Sequence, residues 1–409
     1  MVLNYIWVSF FLIAFVIALF KWLFLGEQQI FSNIITATFD SSKTAFEISL
    51  WLTGTLSLWM GLMRIGEKAG IIRVLAKLVN PFFSRIFPEI PAGHPAMAPI
   101  LLNFSANILG LDNAGTPLGL KAMQEMQKLN PQKDTATNAQ IMFLALNTSG
   151  LTLIPISIIM YRSQMGAVNP ADVFIPILLA TLCSTISAFI MVSIYQKIKW
   201  DWVVVAFLVS TLFFIGSTVY FFQQMEDKQV TLYSNLISSF VLFSTIISFL
   251  ALAFYRKINA YDSFIEGAKE GFEVAVKIIP YMVAMLVGIA VFRTSGALTM
   301  LVDLIDYLLN LLNINGEFTK ALPVAFMKPL SGSGARGMMI DAMQTYGVDS
   351  FVGRLACTMQ GSTDTTLYII ALYFGSVGIR KTRYAIICGL VADFIGISAA
   401  ILVSYIFFG

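Results

Sequence analysis

The chain has 409 residues, 57% of them hydrophobic and only 12% charged. A soluble domain carries about 25% charged residues, so this composition excludes an ordinary soluble enzyme or binding module. A net charge of +3 without a solvated basic patch argues against a nucleic-acid partner. Cys183, Cys357 and Cys388 all lie in apolar surroundings and suit inert core positions rather than a disulfide frame or a metal site.

About 20 apolar residues cross a bilayer as a helix, and such runs recur along the chain. The first, 4–24, lacks the basic start and small-residue cleavage site of a signal peptide and is read as a retained helix. A second covers 45–63. The stretch 66–86 sets Ile71, Ile72, Leu75 and Leu78 on one helical face opposite Arg73 and Lys77, the pattern of an amphipathic helix lying at the interface. His94, the sole histidine, falls in a turn with Pro91, Pro95 and Pro99, where a loop role outweighs a catalytic one. The segment 99–121 is too polar for a lipid-facing span and is punctuated by Pro117 and three glycines. Backbone that leaves helical geometry inside a bilayer must be covered by protein or line water. A re-entrant helical hairpin is therefore expected here, and a water-exposed loop is the plainer alternative. Runs at 140–162 and 173–195 follow, the former broken by Asn147, Thr148, Ser149 and Thr152. Further runs occupy 203–222, 231–254 and 275–292. A second amphipathic stretch, 296–313, leads into a second punctuated segment, 323–341, with Pro329, three glycines and Arg336. The stretch 351–374 is broken by Gln360, Ser362, Thr363, Asp364, Thr365 and Thr366, and the last run, 384–408, contains Asp393.

The two halves align with each other. Ser42 to Glu47 resembles Ala268 to Glu273, and each is followed by an apolar helix, a glycine (Gly61, Gly288) and a second glycine (Gly70, Gly296). The punctuated segments and the broken runs then recur in the same order, and the Ala-Met pairs 122–123 and 342–343 match. The runs 4–24 and 231–254 open the two copies, which leaves 203–222 without a counterpart. If each copy starts and ends on one membrane side, that extra crossing turns the second copy over.

Lys and Arg concentrate in cytoplasmic loops, which tests this topology. Arg64, Lys68, Arg73, Lys77 and Arg85 follow Gly61, whereas Arg293 followed by Asp303, Asp306 and Glu317 follows Gly288. The loop 163–172 has only Arg162 at its edge, whereas its counterpart carries Arg380, Lys381 and Arg383. Lys197, Lys199, Arg256 and Lys257 mark two further cytoplasmic loops. Parallel repeats would leave this asymmetry unexplained. The expected fold is an all-α polytopic membrane protein of the cytoplasmic (inner) membrane. It has two inverted-topology repeats, 1–199 and 229–409, each with a re-entrant helical hairpin and an interfacial amphipathic helix, joined by a connecting transmembrane helix within 200–228. Inverted repeats place the site of a secondary transporter near the membrane midplane.

The polar interruptions supply the candidate solute-binding residues. They are Asn107, Asp112, Asn113 and Thr116 in the first hairpin, Asn147, Thr148, Ser149 and Thr152 in the first break, Ser331, Ser333 and Arg336 in the second hairpin, and Gln360, Ser362, Thr363, Asp364 and Thr365 in the second break. A lone Ser or Thr in such a helix usually bonds back to the preceding turn. An ionisable residue costs roughly 3 kcal/mol on insertion scales, which singles out Asp112, Arg336, Asp341 and Asp364, with Asp393 as a structural partner. An Arg336–Asp364 ion pair would serve either the fold or a ligand. Ser331-Gly332-Ser333-Gly334 lacks the following Lys-Ser/Thr of a nucleotide loop. No metal-ligand cluster and no Ser/His pair is present, so neither an enzyme nor a cofactor is expected.

Residues 1–199 resemble the spore maturation protein A family through Glu89-Ile90-Pro91, His94-Pro95-Ala96-Met97, Gly110-Leu111-Asp112-Asn113-Ala114 with Thr116-Pro117-Leu118-Gly119, and Asn147-Thr148-Ser149 with Thr152-Leu153-Ile154-Pro155. Residues from about 229 onward resemble the spore maturation protein B family through Phe264 to Phe272, Pro329 to Gly337, Met359 to Thr366 and Tyr373 to Gly378. The chain is thus similar to a fusion of the two. Both families fall in the nucleoside-recognition, or Gate-domain, group, which is similar to the hairpin-bearing core of concentrative nucleoside transporters. The resemblance implies hairpins and transport. No residue set here maps position by position onto a nucleoside site.

The sequence therefore leads to a transporter for a small polar or anionic solute, with Asp112 or Asp364 as coupling group and Arg336 as anion contact. The alternative is a non-transporting scaffold or regulator related to spore maturation. The expected partners are the solute and the lipid bilayer, and a homo-oligomer is compatible with both readings. Inverted topology puts single cysteines introduced at Gln224 and Ser376 on opposite membrane faces when labelled with an impermeant reagent in sealed vesicles. Labelling of both from one face would refute it.

Overall fold

The computed structural model describes residues 2–91, 93–110, 112–311 and 316–409, with side chains at all of these except 2, 3, 112–114, 227, 228 and 310. The first half runs α1 (Val2–Phe24), α2 (Ile30–Ala69), α3 (Ile71–Ile86), α4 (Met97–Ile108), α5 (Asp112–Leu129), α6 (Asn138–Thr148), α7 (Ile156–Gln164) and α8 (Phe174–Gln196). After α9 (Trp202–Gln223) the same order of lengths returns: α10 (Asp227–Tyr255), α11 (Ala260–Thr294), α12 (Ala297–Asn310), α13 (Leu322–Met327) behind a 3-10 turn, α14 (Gly332–Tyr346), α15 (Phe351–Ser362), α16 (Thr366–Ser376) and α17 (Ala385–Phe408). Among the described residues there is no strand, only a single bridge between Thr135 and Lys381.

Among the described residues, seven helices, α1, α2, α8, α9, α10, α11 and α17, are long and apolar enough to cross a membrane. Large apolar side chains such as Phe213, Phe240 and Phe254 stand on the outside, where only lipid would cover them. The helices start where local chemistry favours it. Thr137 and Gln140 form a reciprocal capping box at α6, and the hydroxyls of Ser331 and Ser350 accept the Gly334 and Gly353 amides at α14 and α15, each at 3.0 Å. Asp201 caps α9 and bonds Arg85. The Val204 amide, and then Arg85, hold its carboxyl below the usual carboxylate range.

Two helices exceed the apolar runs that mark them. α2 has 40 residues and α11 has 35. A helix of 40 residues rises about 60 Å, about twice the hydrocarbon thickness of roughly 30 Å. Their polar flanks remain helical because the two helices lie antiparallel and support each other. Gly271 backs onto the Leu56 carbonyl so closely that a Cβ would come within 2.7 Å of it. At the same end Arg64 bonds Glu67 and Glu266, and Lys68 also bonds Glu266.

α8 and α17 are likewise antiparallel. Tyr195 stacks on Tyr384 with ring centroids 4.6 Å apart, Ser184 Oγ donates to the Ala392 carbonyl at 3.0 Å, and Phe174 shares a buried cluster with Phe407. The broken pair α6–α7 runs antiparallel to α15–α16. At one end the Arg380 and Lys381 amides both donate to the Asp134 carbonyl at 2.9 Å. At the other, Arg162 is fully buried and uses its whole guanidinium. It pairs with Asp172 (2.9 Å) and Asp349 (3.0 Å) and donates to the carbonyls of Val348, Pro170 and Asn169. Arg354 closes the network on Asp172 at 2.8 Å.

Removing one partner from a buried ion pair leaves an uncompensated charge and costs about 3–5 kcal/mol. Arg162→Ala is expected to lower stability by that amount in a denaturant titration of the purified protein in detergent. An unchanged midpoint would show the network to be dispensable.

Candidate functional site

Four interrupted segments converge at the centre, and each satisfies the backbone of another. Within the first hairpin, Asn103 Nδ2 donates to the Gly115 carbonyl at 2.8 Å, tying α4 to α5. Its tip is held to the first break, where the Leu153 amide donates to the Ile108 carbonyl at 2.7 Å and Asn107 Nδ2 donates to Asn147 Oδ1 at 2.9 Å. The tip between α13 and α14 is held to the second break in the same way, with the Leu367 amide donating to the Pro329 carbonyl at 3.0 Å. The two breaks meet directly: the Asp364 amide donates to the Thr148 carbonyl at 2.8 Å. Gly150 makes that meeting possible. Its φ is +65°, and a Cβ there would lie 2.8 Å from the Asp364 nitrogen.

Beside this junction lies a cavity of about 370 Å³, between the α2–α11 pair and the interrupted segments. Cavities of about 300–1,000 Å³ suit small ligands. Its polar lining includes Thr152, Arg336, Gln360, Thr363 and Asp364, all candidates from the sequence, together with Lys328, Arg64, Glu67 and Glu270. Arg336 holds its guanidinium over the Tyr161 ring, 5.7 Å from the centroid. Among the described residues no ion pair joins Arg336 to Asp364, so the pairing that the sequence allowed does not form. Asp364 is exposed and accepts the Thr365 amide at 2.7 Å. Gln360 is buried with its carbonyl oxygen unpartnered.

The remaining candidates serve local backbone. Thr148, Ser149 and Ser362 are buried and donate to the carbonyls of Ala145, Leu146 and Met359, the back-bonding habit of hydroxyls in helices. Asn147 donates to Phe143, and Thr152 to Gly150. Ser331 caps α14 with Ser333 3.2 Å away, and Thr365 is buried ahead of α16. Thr116 is exposed and does not line the cavity. The side chains of Asp112 and Asn113 lie outside the described residues. Asp341 pairs with Arg293 away from the cavity.

Three features escaped the sequence reading. Lys328 is buried against the cavity next to Pro329, and an ionisable residue in an apolar segment is itself the signal. The acidic residues Glu67 and Glu270 carry no local signal that separates them from ordinary helix-surface charge. The Arg162 network joins the loop that follows α7 to a distant one at Val348 and Asp349, which no local pattern reveals.

Together these elements define a multi-pass helical membrane protein. The model of the Gate family, described as nucleoside recognition, matches residues 49–168 and 275–380, and the chain belongs to that family. Spore maturation protein B of Bacillus subtilis (strain 168) is 50% identical over 154 residues, which is 38% of this chain and 85% of that protein. Spore maturation protein A of the same organism is 43% identical over 188 residues, 46% of this chain and 92% of that protein. No solved structure matches the chain.

A side chain at φ +65° costs about 1–2 kcal/mol before any clash. Gly150→Ala is therefore expected to lower the unfolding midpoint clearly, whereas Gly375→Ala, at a helical glycine with open space around it, leaves it level or raises it. Equal effects of the two changes would remove the special role of the junction.

Proposed function

We propose that the protein is a transporter of a small polar or anionic solute, with its binding site in the cavity beside the junction of the two breaks. The observation that carries this reading is the cavity itself. Segments from both halves wall it, and it holds cationic, anionic and amide groups where a membrane protein keeps polar residues only for a reason.

The antiparallel pairing of α2 with α11, of α8 with α17, and of the two broken pairs supports an inverted repeat, with α9 as the added crossing. The tips next to Ile108 and Pro329 are then re-entrant hairpins entering from opposite faces. The family match falls on equivalent elements of both halves, and the lengths of the two relatives suit a fusion of an A-like and a B-like unit. The basic loops support an orientation with those loops on the cytoplasmic side, as an inner-membrane protein would have them. We assign it no catalytic chemistry.

Arg336 and Lys328 offer an anionic or carbonyl-bearing group two cations, and Asp364, Gln360 and Thr363 provide acceptors and donors for hydroxyl or amine groups. Such a lining accepts a nucleoside, a dicarboxylate or an amino acid. A scaffold or regulatory role is favoured by one observation, the number of candidate hydroxyls already spent on their own backbone.

The two readings separate experimentally. Thermal shift against those three ligand classes is expected to find a stabilising ligand, followed by uptake into proteoliposomes. Arg336 has an aromatic contact worth about 0.5–1 kcal/mol and no ion pair with Asp364, so Arg336→Gln and Asp364→Asn should fold singly and together. Both changes should abolish the ligand shift and uptake. Retained uptake in a stable double variant would reject the site.

A further inference from the structure

Six charged residues line the cavity beside the junction, and the protein itself accounts for four of them. Arg64 pairs with Glu67 at 2.9 Å and with Glu270 at 3.8 Å. Lys328 stands near enough to the buried Asp393 for their opposite charges to act on each other. Arg336 and Asp364 remain. Among the described residues the Arg336 guanidinium makes no hydrogen bond and no ion pair, only its contact with the Tyr161 ring. Asp364 accepts the Thr365 amide on one carboxylate oxygen and has no ion pair among the described residues. One cation and one anion thus face the same cavity without meeting each other.

The surrounding backbone fixes where both stand. The Asp364 amide is tied to the Thr148 carbonyl at 2.8 Å. A Cβ at Gly332 would come 2.7 Å from Thr365 Oγ1, so the first turn of α14 lies against the second break. Arg336 follows four residues further along α14, a rise of about 6 Å. Gln360 precedes Asp364 by four residues, lines the same cavity, and is 7% exposed with its carbonyl oxygen unpartnered. Buried polar groups are otherwise almost always satisfied. The α2–α11 side of the cavity contributes an apolar wall of Trp59, Met60, Met63, Val274 and Ile278.

Taking this cavity as the solute site proposed above, we infer that the solute is an α-amino acid bound as its zwitterion, with an apolar side chain. Its carboxylate forks onto the Arg336 guanidinium. Its ammonium has three donors and no acceptor, enough for the Asp364 carboxylate and the Gln360 oxygen together. Its side chain lies against the apolar wall. Neither charge of the site is then left unpaired away from water, where an unpaired charge is costly. A dicarboxylate suits Arg336 but sets a second anion near Asp364 and offers Gln360 no donor. A nucleoside offers donors to Gln360 but leaves both charges of the site uncompensated.

The test follows thermal unfolding of the full chain, purified in detergent, against five probes. These are L-leucine, isocaproate (the same skeleton without the ammonium), isoamylamine (without the carboxylate), succinate and uridine. The midpoint is expected to rise and level off with leucine, and to need roughly tenfold or more of either analogue for the same rise. Arg336→Gln should narrow the gap between leucine and isoamylamine, and Asp364→Asn the gap between leucine and isocaproate. Each variant removes the partner of the group that its analogue lacks, whereas a merely structural role would weaken all three probes alike. Either analogue matching leucine in the unaltered protein, or both gaps unchanged in the variants, overturns the inference. The analogue comparison needs no variant, so it decides even where a variant does not fold. A rise with succinate or uridine and none with leucine also overturns the inference, while the solute site stands. No rise with any of the five removes the solute site and the inference with it.

Discussion

The hydrogen bond from the Asp364 amide to the Thr148 carbonyl, 2.8 Å long, expresses the constraint on which the rest of the structure depends. A helix that stops inside an apolar region leaves several amides or carbonyls unpaired, and each costs several kcal/mol in hydrocarbon. The chain stops helices four times at its centre and resolves each stop with another. The first break takes a carbonyl from one tip, through Leu153 and Ile108, and the second takes one from the other, through Leu367 and Pro329. The breaks complete each other at Gly150. Irregular backbone is thereby available beside a cavity without being left open to lipid.

The periphery holds this centre in register. The Arg162–Asp172–Arg354 network clamps α7 to the start of α15, and the Asp134 carbonyl clamps the approach to α6 against the residues before α17. These clamps differ in kind. Arg162 is fully buried and every one of its bonds is made inside protein. The ion pairs at the Arg64 end of α2 and α11 are partly exposed, and pairs of that kind contribute little each. What holds α2 to α11 is instead the close backbone contact at Gly267 and Gly271, which gains dispersion along a long seam.

Polar residues in the centre fall into two groups. Thr148, Ser149, Ser362 and Asn147 spend their donors on the preceding turn and stabilise helix ends. Arg336, Gln360, Asp364 and Thr363 face the cavity, and Gln360 and Thr363 keep unsatisfied atoms. The second group is the one with chemistry left to offer, and all four of its residues come from the second half of the chain.

Much of the architecture was legible in the amino-acid order because lipid imposes a simple rule. Apolar length marks a crossing helix, so the runs at 4–24, 173–195, 203–222, 231–254 and 384–408 reappear as α1, α8, α9, α10 and α17 within a few residues. Polar clusters inside such runs mark breaks, and α6–α7 and α15–α16 stop where Asn147 to Thr152 and Gln360 to Thr366 fall. The length of α2 and α11 was not legible, because their polar flanks are held helical by each other. Nor was the sorting of the hydroxyls, since a threonine that bonds its own turn and one that faces a cavity have the same local sequence. In place of the ion pair that the sequence allowed between Arg336 and Asp364, Arg336 makes a contact with Tyr161 from the other half. Arg162 found two of its partners, Val348 and Asp349, more than 180 residues away. Composition and periodicity act locally along the chain, and they determined that this is a helical membrane protein with four interruptions. Which interruption satisfies which, and which side chains remain unpaired around the cavity, depends on contacts between distant segments, and only the tertiary structure decided it.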